Sequence, residues 1–579
     1  MATWATTGGR VLGAGGAGVV PGGRVDPVTQ EVIRNALVAV AEQMAACIFR
    51  CSRSTVIREM LDYSTAVFDG HGGIIAQAAR IPIHLNSMTN ALQALLRHRF
   101  PLETWADGDI YLTNDPYMGG QHLPDLMTFT PVFVGRSPVA ICGALGHHLD
   151  VGGRAPGSYG ADATEIYQEG FRIPPVRLAH RGVLNELFFD LFAANIRVPQ
   201  KTLPDLRAQI AALEVGKAEV RRLVGKYGAA VLRDAMADLA DTSEARMRAA
   251  IAALPDGTYS AEDYVDDDGL GSLPLLVRVT CTAQGSDLTV DFTGSAPQTP
   301  GPINSPIAAT ESAVYYALIA VLDPTVPANY GCYRPIRIVA APGSIVHPRP
   351  PAAVVGRSVV NHRVATVLLT ALSRALPERV PADHYGNANM YILSSMDEHG
   401  EIDVLQEVPV GGWGGRPTSD GPDVYSASVH NLANIPLEMV ELDVPLRFVR
   451  YTLRQDSGGP GRFRGGLGVE RSFRVVRPSA IQTQFDRVRF VPLGRTGGKP
   501  GAPGCVLVER GGQVLTLPAK TLRFPLQPGD VVRILTQGGG GYGDPRQRDL
   551  ALVARDLAEG KISERAAVEE YGYEAVRER

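Results

Sequence analysis

Residues 139–153 read VAICGALGHHLDVGG, and this stretch anchors the expected fold. Residues 139–145 are apolar or small and predict a short β-strand, and a polar cluster, GHHLDVGG, begins where that strand ends. Adjacent strand residues face opposite sides of a sheet. At most one of His147 and His148 is therefore expected to reach a shared centre, with the other supporting it.

Two further polar clusters lie upstream of this strand. TNDPYMGGQHLPD (113–125) contains Pro124, which excludes a regular helix, so His122 and Asp125 are expected on a turn that points both side chains at one centre. LDYS (61–64) contributes Asp62, and IHL (83–85) contributes a histidine. Together the three clusters hold the residue types that bind a divalent metal.

The chemistry of these clusters leaves two interpretations open. Neutral imidazole and carboxylate groups suit zinc, manganese or iron, and a catalytic site keeps one coordination position for water or substrate. A His-x-x-Asp pair can equally form a hydrogen-bonded brace that only holds a loop.

The surrounding sequence mixes helix and sheet. Before residue 256, the apolar periodicity predicts helices at 27–50, 206–227 and 229–254, a hairpin at 64–77, and strands at 111–113 and 128–134. Beyond it, short β-rich runs are interrupted by helices at 309–322 and 364–376. The expected fold is α+β and multidomain, with a flexible glycine-rich tail (1–24), a mixed α/β domain holding the metal site (25–255), a β-rich α+β domain (256–545) and a C-terminal helical segment (546–579).

Composition narrows the classes of protein. A chain of 579 residues exceeds a single hydrophobic core. Its 56 basic and 60 acidic residues give a net charge of −4, so no broad field predicts a nucleic-acid or anionic-membrane partner. The apolar stretch 313–322 is too short to span a bilayer, and the N-terminus does not resemble a secretory signal, so we expect a cytoplasmic protein. Six scattered cysteines are typical of reduced, structural thiols.

Several common catalytic motifs are missing from the sequence. It contains no P-loop, nucleophile elbow, HExxH or paired CxxC motif. GAGGAG (13–18) matches the dinucleotide pattern, but Pro21 breaks the helix that such a site requires. Cys332 has no adjacent histidine or basic helix end and is interpreted as structural.

Short motifs are distributed over residues 26–572: DPVT (26–29), IPIH (81–84), TNDP (113–116) with Gly119 and Gly120, HLPD (122–125), HH (147–148) with DVGG (150–153), PGS (156–158), QEG (168–170), DFTGS (291–295), DSGG (456–459) and GGGGYGDP (538–545). In this order they resemble the hydantoinase B/oxoprolinase family. That family comprises the beta-type subunits of ATP-dependent cyclic-amide hydrolases and of related ketone carboxylases.

The resemblance implies a set of site residues and a partner. The metal, zinc in the first instance and otherwise manganese or iron, is expected on Asp62, His122, Asp125 and His147. Three further residues are expected to orient a ligand or move a proton: Asp115, His148 and Asp150. ATP and Mg are expected on a separate actin-like subunit of the hydantoinase A type, in a hetero-oligomer such as α2β2.

The implied reaction is the opening of a cyclic amide, such as a hydantoin or an oxoproline-like lactam. Phosphorylation of the amide oxygen by the partner removes the resonance that protects the amide, and the metal activates the attacking water. Ketone carboxylation and a non-catalytic structural role are the alternatives. VVNHR (359–363) departs from the acidic, Thr/Ser-containing stretch expected of the family, so the substrate stays open.

Overall fold

The computed structural model describes residues 23–573. The predicted glycine-rich tail, residues 1–24, lies outside the described residues except for Gly23 and Arg24. The described chain combines helices with several sheets, which confirms the predicted α+β, multidomain class.

The helices are α1 (Pro27–Cys51), α2 (Thr55–Arg58), α3 (Ser87–His98), α4 (Glu186–Asn195), α5 (Pro199–Tyr227), α6 (Ala229–Ala252), α7 (Ile307–Leu322), α8 (Tyr330–Tyr333), α9 (Ser358–Leu372), α10 (Leu437–Asp443), α11 (Leu550–Ala558) and α12 (Glu564–Tyr571).

The strands are β1 (Tyr63–Asp69), β2 (Ile74–Gln77), β3 (Ile110–Thr113), β4 (Asp125–Val134), β5 (Ser137–His147), β6 (Val176–His180), β7 (Val183–Leu184), β8 (Gly257–Val265), β9 (Leu275–Gln284), β10 (Asp287–Asp291), β11 (Ile336–Val339), β12 (Met390–Met396), β13 (Ile402–Glu407), β14 (Leu446–Leu453), β15 (Val469–Val475), β16 (Ser479–Gln484), β17 (Cys505–Arg510), β18 (Gln513–Leu517), β19 (Lys520–Leu526) and β20 (Val531–Leu535).

A seven-stranded antiparallel sheet has the order β2-β1-β5-β4-β3-β6-β7. The strand predicted from the opening stretch, β5, lies between β1 and β4. Asp125, the first residue of β4, pairs with His147, the last residue of β5, and Tyr63 of β1 pairs with Gly146. The start of β1, the end of β5 and the start of β4 therefore lie side by side, and the polar residues there are neighbours.

Strand β5 separates two hydrophobic cores. Ile141 and Leu145 belong to a core shared with α3, α7 and α9, whereas Cys142 and Ala144 belong to a core shared with α1 and α5. The alternation follows from the two-residue period of a strand. It places His147 on the side of Leu145 and His148 on the side of Ala144.

Helix α1 covers the second of these cores. Asp26 caps it by accepting a hydrogen bond from the Thr29 N–H at 3.0 Å, and Pro27 occupies its first turn. By length and a mean hydropathy of 1.5, α1 passes the test for a membrane span, as core helices of soluble proteins also do. Its buried side chains pack against the α5 side of the sheet: Ile33, Leu37, Val40, Ala41, Met44, Ala45 and Ile48.

Three smaller sheets lie after residue 256, in the orders β11-β10-β9-β8, β13-β12-β16-β19 and β14-β15-β20-β17-β18. The seven-stranded sheet lies wholly before that residue. One core cluster, however, combines residues from both sides, including Phe129 and Leu145 with Val279 and Val364. The proposed boundary at 255/256 stays a prediction.

Two local expectations need correction. The helix predicted at 364–376 begins six positions earlier, at Ser358, so the unusual stretch 359–363 is helical and buried. The six cysteines are interpreted above as structural thiols, but the side chain of Cys51 is exposed. All six cysteines are free thiols. Burial raises the pKa of Cys332 to about 12, in keeping with a structural role.

Candidate metal centre

The ends of β4 and β5 bring two predicted ligands together, and the turn before β4 adds the third. The Asp125 N–H donates to the His122 carbonyl at 3.1 Å, which closes the turn, and the His147 N–H donates to the Asp62 carbonyl at 3.0 Å. These are backbone contacts, so the backbone at the ends of the strands fixes where each side chain starts.

Three atoms that could ligate a metal lie close together where β4 and β5 meet. His122 Nε2 lies 2.9 Å from Asp125 Oδ1, His147 Nδ1 lies 3.0 Å from the same oxygen, and the two nitrogens are 3.2 Å apart. All three side chains are at most 3% exposed. We call His122, Asp125 and His147 the triad.

The hydrogen bonds of His122 show what the triad can hold. His122 Nδ1 lies 3.3 Å from the Tyr159 hydroxyl and 3.0 Å from the carbonyl oxygen of Val355. Val355 only accepts, so the tautomer that bonds to Val355 carries its proton on Nδ1 and presents a lone pair at Nε2. That lone pair faces the Asp125 carboxylate, a second acceptor. Two acceptors 2.9 Å apart are stable only with a proton or a metal cation between them.

His147 has a matching outer partner. Its Nε2 lies 2.9 Å from the amide nitrogen of Gln406, while Gln406 Oε1 has no partner within residues 23–573. Turning the amide by 180° makes Oε1 the acceptor of an Nε2–H, and the two orientations are nearly isosteric. His147 Nδ1 then presents its lone pair to the triad. Two imidazoles and one carboxylate, each oriented from outside, fit zinc, manganese or iron.

Electrostatics favours the ligand forms of His122 and Asp125 but not that of His147. Burial opposes protonation of His147, but the hydrogen bond to Asp125 and the nearby Asp62 charge outweigh burial and raise the His147 pKa. Burial, assisted by the nearby Arg357 guanidinium, lowers the pKa of His122 to about 4, so this imidazole is neutral at physiological pH. Burial opposes ionisation of Asp125, but His122 and Arg357 outweigh it and hold the Asp125 pKa well below its usual range. A neutral imidazole and an ionised carboxylate are the states that a metal requires.

Arg357 fixes the second oxygen of the triad carboxylate. Its Nη2 donates to Asp125 Oδ2 at 2.9 Å, and the residue is 5% exposed. The loop before Arg357 is held by Glu169, whose Oε1 accepts from the N–H groups of Val354 and Val355 at 2.7 and 2.8 Å. Glu169 therefore supports the same Val355 carbonyl that orients His122.

A small cavity of about 20 Å³ adjoins the triad, which is room for roughly one water molecule. Asp62, the fourth predicted ligand, lies in its wall, with Oδ2 3.9 Å from His147 Nδ1. Burial raises the pKa of Asp62 to about 6. Burial also lowers the pKa values of His84 and His430, on the same wall, to about 3. Asp62 is therefore near the triad but outside its 3 Å contacts.

The other three predicted residues do not contact the triad side chains. His148 Nε2 bonds to Gln209 Oε1 of α5 at 2.8 Å, on the opposite face of the sheet. Asp115 caps a short turn and pairs with Arg172 at 2.8 Å. Asp150 pairs with Arg197 at 3.1 Å. Their expected roles in orienting ligands or moving protons stay predictions.

Sequence reasoning missed the residues that complete the site: Tyr159, Arg357, Gln406 and His430. They lie far along the chain from the triad, except Tyr159, and no spacing pattern connects them to it. Glu169, which holds the loop before Arg357, is different: it belongs to the QEG motif, so the sequence did contain a pattern that pointed to it.

Known proteins resemble this chain over most of its length. The family model of hydantoinase B/oxoprolinase matches residues 26–545. A Pseudomonas sp. (strain NS671) protein, named as the putative B-type subunit of a D-/L-hydantoinase, is 33% identical over 95% of this chain and 95% of that protein. The crystal structure of an ATP-dependent caprolactamase from Pseudomonas jessenii has a TM-score of 0.88 and 31% identity, over 95% of this chain and 96% of that one. A nucleotide-free acetone carboxylase shares the fold at 20% identity, with a TM-score of 0.87 over 94% of this chain and 79% of that one.

Proposed function

The chain belongs to the hydantoinase B/oxoprolinase family, and on that premise we propose that it is the metal-dependent subunit of an ATP-dependent amidohydrolase that opens a cyclic amide. The substrate class is a hydantoin or a lactam, including oxoproline-like rings. The proposal includes a partner of the hydantoinase A type that binds ATP and Mg and phosphorylates the amide oxygen.

The observation that carries the proposal is the pair of facing acceptors at the triad. His122 Nε2 and Asp125 Oδ1 lie 2.9 Å apart with the His122 proton committed to Val355. A cation between them removes the repulsion. A brace that only held the loop would use the other tautomer, in which Nε2–H donates to Asp125 and Nδ1 accepts from the Tyr159 hydroxyl.

The triad residues His122, Asp125 and His147 would hold the metal, with Asp62 as the outer candidate ligand. When bound, zinc, manganese or iron would supply Lewis acidity beside the reacting carbon. The protein's own contribution is positional: Arg357 donates to Asp125 and Val355 accepts from His122, so both side chains are oriented from outside the triad.

The division of labour with a partner is supported by the relatives. The Pseudomonas sp. protein is named as a subunit, and the caprolactamase is named as ATP-dependent. An unstrained amide is a poor electrophile, so activation elsewhere followed by hydrolysis here is chemically consistent.

Co-purification of the chain with its actin-like partner gives the test. We expect hydantoins or lactams to stimulate ATP hydrolysis by the complex and to be converted to ring-opened products. The chain alone should do neither. Stimulation by ketones with bicarbonate, and not by cyclic amides, would instead establish the carboxylase alternative. Full turnover by a metal-free complex would leave only a structural role for the triad.

A further inference from the structure

A second, larger cavity lies on the other side of the Ile81 side chain. We call it the chamber. Its volume is about 530 Å³, within the roughly 300–1,000 Å³ typical of small-molecule sites. Its lining comes from β2, the segment 78–85, α7 and the loop 324–329, and is mainly apolar, with Val38, Ile75, Leu239 and Ile319 among its residues.

The wall between the chamber and the triad cavity is one residue thick. In the segment 81–85, Ile83 and His84 line the triad cavity, Pro82 and Leu85 line the chamber, and Ile81 lines both. Along 430–432 the sides alternate in the same way: His430 and Leu432 line the triad cavity, and Asn431 lines the chamber.

Two hydrogen bonds connect these segments, and Ile81, Ile83 and Val429 pack in the same core. The Ile83 N–H donates to the Val429 carbonyl at 2.9 Å, and the Asn431 amide donates to the Arg80 carbonyl at 3.1 Å. Rearrangement of this thin wall would join the two spaces.

The charges around the chamber select a neutral ligand. Arg34 pairs with Glu31 at 2.8 Å, and Arg80 pairs with Glu42 at 3.2 Å, so both lining cations are already neutralised. Tyr316 also lines the chamber, and its hydroxyl makes no hydrogen bond to any residue from 23 to 573. An apolar space with one free phenolic donor suits a neutral ring that carries one amide carbonyl.

We propose that the chamber is the binding site for the ring of a neutral cyclic amide, held beside the triad on the other side of the wall of residues 81–85 and 430–432. The inference rests on the proposed function and deepens it. The triad cavity, at about 20 Å³, has room for roughly one water and not for a ring.

The test fills the chamber without disturbing the triad. Ala320 on α7 lines the chamber and is exposed, so Ala320→Trp should fold. Ala249→Trp is the matched control, because Ala249 is an exposed helical alanine on α6 outside the chamber lining. Binding of 2-pyrrolidinone, δ-valerolactam, caprolactam and hydantoin to the full-length chain is measured by calorimetry and saturation-transfer NMR.

We expect at least one of these four amides to bind the wild-type chain. Its affinity for Ala320→Trp should be at least about tenfold lower, and its affinity for Ala249→Trp should equal that for wild type. Metal content should be equal in all three proteins. Binding of none of the amides to the wild-type chain, or equal binding by Ala320→Trp, would overturn the chamber.

Turnover by the complex separates this inference from the proposed function. If the wild-type complex opens a lactam whose KM is unaffected by Ala320→Trp, the proposed function stands and the chamber is wrong. If lactams bind as predicted but the complex opens no cyclic amide, the chamber is a binding site for lactams and the proposed reaction is wrong.

Discussion

His122 is the residue on which the metal interpretation depends most directly. We expect His122→Ala to lose the metal and turnover while the chain still folds, because His122 lies on the turn before β4 and not within a strand. Metal analysis, thermal melts and rates of the complex are measured together. His98→Ala, an exposed histidine on α3, is the control.

A His/Asp brace predicts a different result for the same variant. Activity would survive in the folded fraction, and stability would fall by roughly 1–3 kcal/mol, the cost of unpaired buried groups. As-purified wild-type protein with less than about a tenth of an equivalent of metal would also contradict the metal centre.

Glu169 gives a prediction about pH at the residue scale. Burial raises its pKa to about 8, and its Oε2 has no partner in the described chain. The folded state therefore keeps a proton that the unfolded chain releases near pH 4.5, so stability contributed here falls as pH rises and levels off above about pH 8.

Glu169→Gln keeps the acceptor for Val354 and Val355 but cannot ionise. We expect the variant to be as stable as wild type near pH 5 and more stable by roughly 4–5 kcal/mol at about pH 9, the free energy that corresponds to a pKa of about 8 instead of 4.5. Denaturant unfolding at both pH values measures this. Glu398→Gln, at an exposed site, should leave the pH dependence unchanged, and an identical slope for Glu169→Gln would contradict the assignment.

At the scale of elements, Gln209 connects α5 to the sheet behind the triad. Its amide donates to the carbonyls of Leu126 and Ala144 at 2.9 and 3.2 Å and accepts from His148. Gln209→Leu should cost roughly 1–3 kcal/mol of unfolding free energy, because these buried groups lose their partner. Gln200→Leu, exposed on the same helix, is the control for thermal melts. Equal melting temperatures would show that Gln209 is not a structural tie.

Elements were the part of the molecule best predicted from sequence. The hairpin at 64–77 and the strand at 139–145 are confirmed, because apolar periodicity acts over a few positions. Two-residue alternation also placed His147 and His148 on opposite faces. The partners of the triad could not be predicted, since Arg357 and Gln406 reach it through tertiary packing from positions more than 200 residues away.

For the whole molecule, metal removal should loosen the contact between the seven-stranded sheet and the later segments. Arg357 and Gln406, from those segments, both bond to triad residues, and without a metal the facing acceptors of the triad must take up a proton or repel. We expect chelation to lower the melting temperature and to increase amide exchange near residues 122–125 and 354–357, with recovery on adding zinc or manganese. No change on complete demetallation would contradict the coupling.

The core that joins Phe129 and Leu145 to Val279 and Val364 limits how this protein can evolve by recombination. Recombination could exchange the segment before or after residue 256 between two relatives. The core residues of the new segment would then have to pack against core residues from the other relative. Most such chimaeras should be lost to misfolding. New substrate ranges in this lineage are therefore expected to arise by point substitution at positions such as Ala320, where side chains meet open space, and not by shuffling of segments.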